Sequence, residues 1–367
     1  MLTILKHITF TVTNDLSFDQ RMQRICNSLA SNGYRITLVG RKLKSSKPLC
    51  QSNYSQKRLY CFFTKGFLFY AEYNIRLFLF LLFQKTDAIC AIDLDTILPC
   101  LITSKLKNKK RIYDAHELFT ELKEVRTRPH IFKIWTLVER ISVPHFDYSY
   151  TVGQGIANEF NRRYNKHFEI IRNMPLLKSL PKDIQRNEKL LYQGAVNEGR
   201  CLEKLIPAMQ SLDYKLIVCG SGNFMNQLKE LIIKYKVENK IELKGMILPN
   251  ELFHITQQCA LGINLVERGG LNQYLSLANK FFDYIHAGIP QITMNFPEYS
   301  FINQQFEIAL LIDDVNEETI VTKINGLMTD KVKWKQLHEN CLKAREILNW
   351  QEEEKRLLSF YNKVFDN

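Results

Sequence analysis

The 367-residue sequence predicts an α/β chain built from two parallel-sheet domains. Three observations predict it. Short apolar runs recur along the chain, each followed by a polar or Gly-bearing loop and then a helical stretch. The pattern starts near Ile8 and restarts near Leu190, past a polar segment at Lys178–Lys189 that carries Pro181 and reads as a linker. Apolar residues make up 46% of the chain and aromatic residues 11%, enough for two sizeable cores and too much for disorder.

Taken in order, Ile8–Thr13 is the first strand candidate, followed by a helix running to about Asn32, with Asp15 or Ser17 as its cap and Gly33 as its end. Tyr34–Val39 is the next strand. This unit lacks GxGxxG, so a dinucleotide fingerprint is absent. Arg21 and Arg24 on its helix meet an anion or, the favoured reading, lie on a solvated face. Phe67–Phe83 is apolar and aromatic but broken by Glu72, Asn74 and Arg76. It reads as a core helix, with an interfacial membrane helix as the alternative.

Ala88–Ile92 is a strand ending in Asp93-Leu94-Asp95. Asp95 is placed to cap the helix Thr96–Leu106, a reading preferred over a cleft-lining role. Arg111–Tyr113 is a strand followed by Asp114-Ala115-His116-Glu117, at the sheet edge where open α/β sheets bind ligands. No second His follows at zinc-site spacing, so no metal is expected. Phe132–Val143 is helical and Tyr148–Val152 a strand.

In the second half, Leu190–Gly194 and Leu216–Cys219 are strands, the latter followed by Gly220-Ser221-Gly222, and Ile241–Leu243 is a third. Leu261–Val266 is a buried strand. A polar Gly-rich loop, Glu267 to Asn272, follows it and leads to a short helix begun by Asn279 and Lys280 and ended by Gly288 and Pro290. A loop of backbone N–H groups at a helix N-terminus suits a phosphate. Ala309–Ile312 closes the sheet, and a tail helix runs from about Asn349 to Phe365.

The stretch Leu261–Thr293 resembles the donor signature of retaining GT-B glycosyltransferases of family 4, the glycosyl transferases group 1 type. Asp283 falls on the second acid of that signature, and Ala287-Gly288-Ile289-Pro290 matches its turn. Leu275 stands where the family has its first acid. Ala195 and Arg200 fall on the family's two cationic positions after Gly194. The resemblance covers about residues 5–365 and implies an α/β GT-B fold, two Rossmann-like domains facing a central cleft. It also implies transfer of a sugar from a nucleotide-diphosphate donor with retention. Arg200 and Lys280 then meet the diphosphate, with backbone amides around Ala278 and Asn279 and the loop residue Asn272 as further donor-binding candidates. Asp283 takes the ribose hydroxyls, and His116 lies against the donor sugar as the catalytic candidate. No metal and no cofactor beyond the nucleotide-sugar substrate are expected.

The expected domains are 1–178 on the acceptor side, 179–348 binding the nucleotide sugar, and 349–367 as a helix crossing back. Residues 1–180 hold 28 Lys and Arg against 14 Asp and Glu, an excess of 14 positive charges, whereas residues 181–367 hold 22 against 24. The excess points to an anionic partner for the first half: a membrane surface, a lipid phosphate or a nucleic acid. With Phe67–Phe83 beside it, the expectation is an anionic membrane surface and a glycan or lipid-linked acceptor, with no nucleic acid. Nine cysteines without CxxC spacing point to core thiols and a cytoplasmic protein, peripheral on the inner membrane face. A sugar-nucleotide epimerase and a non-catalytic anionic-surface binder are the alternatives.

Overall fold

The computed structural model describes residues 5–17, 19–181 and 184–366; Lys182 and Asp183 of the expected linker lie outside the described residues. The chain divides into two compact units, one of residues 1–173 with 353–367, the other of residues 174–352.

The first unit holds a seven-stranded parallel sheet: β1 (His7–Thr11), β2 (Arg35–Lys42), β3 (Ser55–Tyr60), β4 (Ala88–Ile92), β5 (Lys110–Ala115), β6 (Tyr148–Thr151) and β7 (Glu169–Ile170). Its spatial order is β3-β2-β1-β4-β5-β6-β7, so the winding reverses between β1 and β4. β1 and β4 are buried along their whole length, because helices cover both faces of a central parallel strand. On one face lie the helices Gly66–Phe83, Ile97–Leu106 and Pro129–Ser142. Against Phe10, Tyr34 and Tyr150 pack Phe360 and Tyr361 of the last helix, Trp350–Asp366.

The second unit holds a six-stranded parallel sheet: β8 (Leu190–Gln193), β9 (Leu216–Cys219), β10 (Ile241–Gly245), β11 (Leu261–Asn264), β12 (Gln291–Met294) and β13 (Ala309–Ile312). The order β10-β9-β8-β11-β12-β13 reverses between β8 and β11. Two parallel sheets of this kind, each wrapped in helices, make the GT-B architecture. In open α/β sheets the carboxyl ends at such a reversal form the ligand crevice, since the neighbouring crossovers run to opposite sides.

Four local readings change. β3 was not anticipated, because SQKRLY is mostly polar and sits at the sheet edge. The helix Gln20–Ser31 is capped by Asp19, whose carboxylate accepts from the Met22 amide at 3.0 Å. Asp15 instead binds Arg58 at 2.7 Å and the Ser17 amide at 3.1 Å. Asp95 does not cap the helix Ile97–Leu106, which has no side-chain cap; its carboxylate accepts from Thr13 at the end of β1. The helix Gly66–Phe83 is not a core helix: of its 18 residues only Phe69, Tyr73, Leu77 and Leu81, spaced by one turn, are buried.

Candidate functional site

In the second unit, the loop after β8 runs from Gly194 to Arg200 at the reversal. The turn Gly220–Gly222 after β9 braces it. A Cβ at Gly220, where φ is +144°, would stand 1.8 Å from the Gly194 carbonyl oxygen, so only glycine lets the two backbones approach. The Val196 amide donates to the Ser221 carbonyl at 3.1 Å, and the Phe224 amide to the Val196 carbonyl at 3.0 Å. The loop after β11 is tied to the same place through the Glu267 amide, which donates to the Gly199 carbonyl at 2.9 Å.

The helix Asn279–Ala287 starts beside these loops and ends at Gly288, left-handed at φ 69°. It is fixed from below by Tyr284, whose hydroxyl donates to the carbonyls of Leu191 (3.1 Å) and Ile263 (3.2 Å). Asp283 accepts from the Gln193 amide group at 2.9 Å, and Gln193 in turn accepts from Thr256 at 2.8 Å. The carboxylate is thus held at a fixed angle by the last residue of β8.

Lys280, in the first turn, is buried. Its ammonium lies 3.8 Å from the Tyr192 ring centroid and has no hydrogen-bond partner among the described residues. A side chain at Gly194 would come within 3.5 Å of its Cε, so glycine keeps the space over the ammonium open. Burial pushes the Lys280 amine down to about 7; Arg200 lowers it further, and Asp283 opposes both. Arg200, half-buried, makes no hydrogen bond or ion pair among the described residues. A buried amine with unsatisfied donors and a half-buried guanidinium with no protein partner among the described residues therefore share the carboxyl end of β8 near a helix N-terminus. Burying an unpaired charge is costly unless a ligand of opposite charge completes it.

Of the other donor-binding candidates, Asn272 is buried on the short helix Leu271–Tyr274, and Leu275 follows it directly. The Ala278 amide is engaged: it donates to the Tyr299 hydroxyl at 3.0 Å, so that amide is not offered to a phosphate. Asn279 is exposed at the first helical position.

In the first unit, His116 follows β5 at its carboxyl end. Its amide donates to Asp93 at 2.8 Å, Nδ1 lies 3.4 Å from Asp93, and Nε2 lies 3.0 Å from Asp114. Asp114 is fully buried and takes a salt bridge from Arg21 at 3.0 Å. Burial works against the imidazolium, but Asp114 and Asp93 outweigh it and Arg21, raising His116 to about 9. Burial likewise raises Asp114, yet Arg21 and His116 hold it below the ordinary carboxylate value. Asp93 goes the other way: burial lifts it to about 7, with Glu117 and Asp95 adding to the rise against His116. Burial also lifts Asp95 to about 6. Asp93 has φ 55° and ψ 177°, a backbone state that costs a non-Gly residue on the order of 1–3 kcal/mol and clusters at functional sites.

Residues 181–344 match the family described as glycosyl transferases group 1. The match covers a little under half of the chain and falls within the second unit. Solved structures share the fold. Sucrose-phosphate synthase from Thermosynechococcus elongatus superposes with a TM-score of 0.82 at 14% identity, over 98% of this chain and 99% of that one. HepE of Anabaena, in complex with UDP-glucose, gives 0.77 at 12% identity over 97% and 99%. WaaG, a glycosyltransferase involved in lipopolysaccharide biosynthesis, gives 0.72 at 14% identity over 95% and 98%. No curated protein sequence matches the chain.

The sequence reading missed five partners. Arg21 does not lie on a solvated face: it is buried, and its guanidinium reaches Asp114, His116 and the Ile171 carbonyl. Arg24 likewise turns inward to Asn173. Gln193, which aims Asp283, and Tyr192, under Lys280, looked like ordinary strand residues. Asp114 alone left a trace, as an acid directly after Ile112 and Tyr113 and two residues before His116.

Proposed function

We propose that the chain is a retaining glycosyltransferase that moves a sugar from a nucleoside diphosphate to a glycan or lipid-linked acceptor in cell-surface polysaccharide synthesis. The observation that carries this reading is the buried, partnerless ammonium of Lys280 beside Arg200 at the sheet reversal of the second unit. A diphosphate supplies the negative charge that both groups lack. Asp283, held by Gln193, is oriented to accept from the two ribose hydroxyls. His116 is held at the end of β5 by Asp93 and Asp114, at the place where the group 1 resemblance sets a residue against the donor sugar.

In the reaction, the acceptor hydroxyl oxygen bonds to the anomeric carbon from the side the diphosphate leaves. The carbon–oxygen bond to the phosphate breaks, and the hydroxyl proton passes to the departing phosphate oxygen. The side chains of this protein do no covalent chemistry. Lys280 and Arg200 stabilise the charge that grows on the leaving group, and the braced loops hold it in place. No group of three His, Cys, Asp or Glu among the described residues is arranged to hold a metal, and the cationic pair does the neutralising a metal would do, which supports turnover without one. The nine cysteines are unpaired, which supports a cytoplasmic location. The UDP-glucose complex of HepE and the lipopolysaccharide role of WaaG support the donor class and the polysaccharide setting.

A thermal-shift panel of UDP-, GDP-, ADP- and TDP-sugars tests this. One or more should raise the melting temperature of the native protein and leave Lys280→Met unmoved. No shift with any of them, or equal shifts in both proteins, contradicts the donor assignment.

A further inference from the structure

The helix Gly66–Phe83 rests on the first sheet by one narrow stripe. Tyr73 donates to the Val12 carbonyl and Asn74 to the Asp95 carbonyl, so the helix is anchored on one side along its middle. Lys107 closes its C-terminus, donating to the carbonyls of Leu81, Leu82 and Gln84. The opposite side is apolar and open. Leu68, Ile75, Leu79 and Phe83 fall on one helical face, and Phe83 is 86% exposed. The two charges of the helix fall at that face but neutralise each other. Glu72 and Arg76 pair with each other at 2.8 Å, and Glu72 also accepts from the amides of Phe62 and Phe63 at 3.0 Å.

The face continues onto the neighbouring helices. Tyr70 meets Trp135 edge to face at 5.4 Å, which sets the helix Pro129–Ser142 alongside. That helix exposes Ile134, Leu137 and Ile141 at helical spacing, and Ile97–Leu106 exposes Ile102 and Leu106. A soluble monomer rarely leaves a continuous apolar surface of this extent to water. The charges around it have one sign. Among the described residues of these three helices, the exposed charged side chains are Lys105, Lys133 and Arg140, all basic, and Lys65 adds a fourth at the start of the first helix. Exposed Phe62, Phe63 and Phe67 stand beside that lysine.

We propose that this three-helix face is a docking surface for an anionic lipid bilayer, with the helix Gly66–Phe83 lying flat in the interface. An apolar, aromatic face with a rim of cations fits acyl chains beneath phosphate headgroups. The helix has the length to span, but its buried stripe and its bonds to the sheet hold it on the protein. The cationic rim distinguishes lipid from a second copy of the chain, since two such rims would repel.

The test is co-sedimentation of the full chain with vesicles of phosphatidylcholine alone or mixed with phosphatidylglycerol, at low and high salt. Native protein should pellet with the anionic vesicles at low salt, less at high salt, and little with the neutral ones. Ile75→Glu with Leu79→Glu should abolish pelleting, and Lys133→Gln with Arg140→Gln should lower the partition by roughly fivefold per charge. All these side chains are exposed, and unchanged melting curves would show that the variants are folded. Negligible pelleting of native protein in all four conditions overturns the proposal. A concentration-dependent dimer, dissociated by the Ile75/Leu79 variant, also overturns it by making the face a subunit interface. Donor binding by the second unit is unaffected in either case.

Discussion

The ammonium of Lys280 stands 3.8 Å from the centroid of the Tyr192 ring and has no hydrogen-bond partner among the described residues. A cation over a ring face is partly compensated, but a buried amine with three donors is not satisfied by a ring alone. The protein carries this cost at one position, next to a second unpaired cation, because a ligand completes both.

Lys280→Met should therefore stabilise the free protein while destroying donor binding. The folded pKa of about 7 lies below the ordinary 10.5, so the unfolded chain holds the proton more tightly. The resulting loss of stability is full below about pH 7 and fades as pH rises towards 10.5. The variant should gain on the order of 1–3 kcal/mol at pH 6, and the gain should vanish near pH 10. Urea melts at the two pH values check it; a variant less stable than the native protein at pH 6 would contradict it.

Asp283→Ala and Arg200→Ala should each weaken sugar-nucleotide binding by about 1–3 kcal/mol, the scale of a lost charged hydrogen bond. Gln193→Leu should reproduce part of the Asp283 effect, since Gln193 holds that carboxylate. Unchanged affinity in folded Asp283→Ala and Arg200→Ala proteins would remove both from the site.

Turnover should survive EDTA. The cationic pair lies at β8, whereas Asp93 and Asp95 sit at the end of β4 and are engaged by His116 and Thr13. Activity that collapses with chelator and returns with Mn²⁺ or Mg²⁺ would show that a metal does the work assigned here to Lys280 and Arg200.

The His116 cluster has its own pH signature. Its folded pKa of about 9 exceeds the ordinary 6.5, so the stability it contributes is full below pH 6.5 and lost as pH rises through 9. His116→Gln should cost on the order of 1–3 kcal/mol at pH 6 and much less at pH 10. An equal cost at both values would mean that the ring is neutral in the folded protein.

Much of this was legible in the residues. Buried parallel strands are continuous apolar runs, so β4, β9 and β13 fall where Ala88–Ile92, Leu216–Cys219 and Ala309–Ile312 predict them. Lys280 and Asp283 could be named because the glycine loop and the Ala-Gly-x-Pro turn bracket their helix. The contacts that give those residues their chemistry were not legible. Arg21 and Asp114 are 93 residues apart, and Gln193 and Asp283 are 90 apart; no local pattern encodes such pairings. The exposed side of Gly66–Phe83 was hidden for a related reason. A helix that is apolar all round has the same composition whether protein or lipid covers it.

The most direct test of the account is calorimetric titration of a stabilising sugar nucleotide at pH 8 in two buffers of different ionisation enthalpy. Lys280 is mostly neutral there in the free protein and charged against a bound diphosphate, so binding should take up protons, more at pH 8 than at pH 6. The uptake and the tight binding should both be lost in Lys280→Met. Binding with no buffer dependence, and with the same affinity in Lys280→Met, would contradict the claim that this buried lysine receives the donor diphosphate.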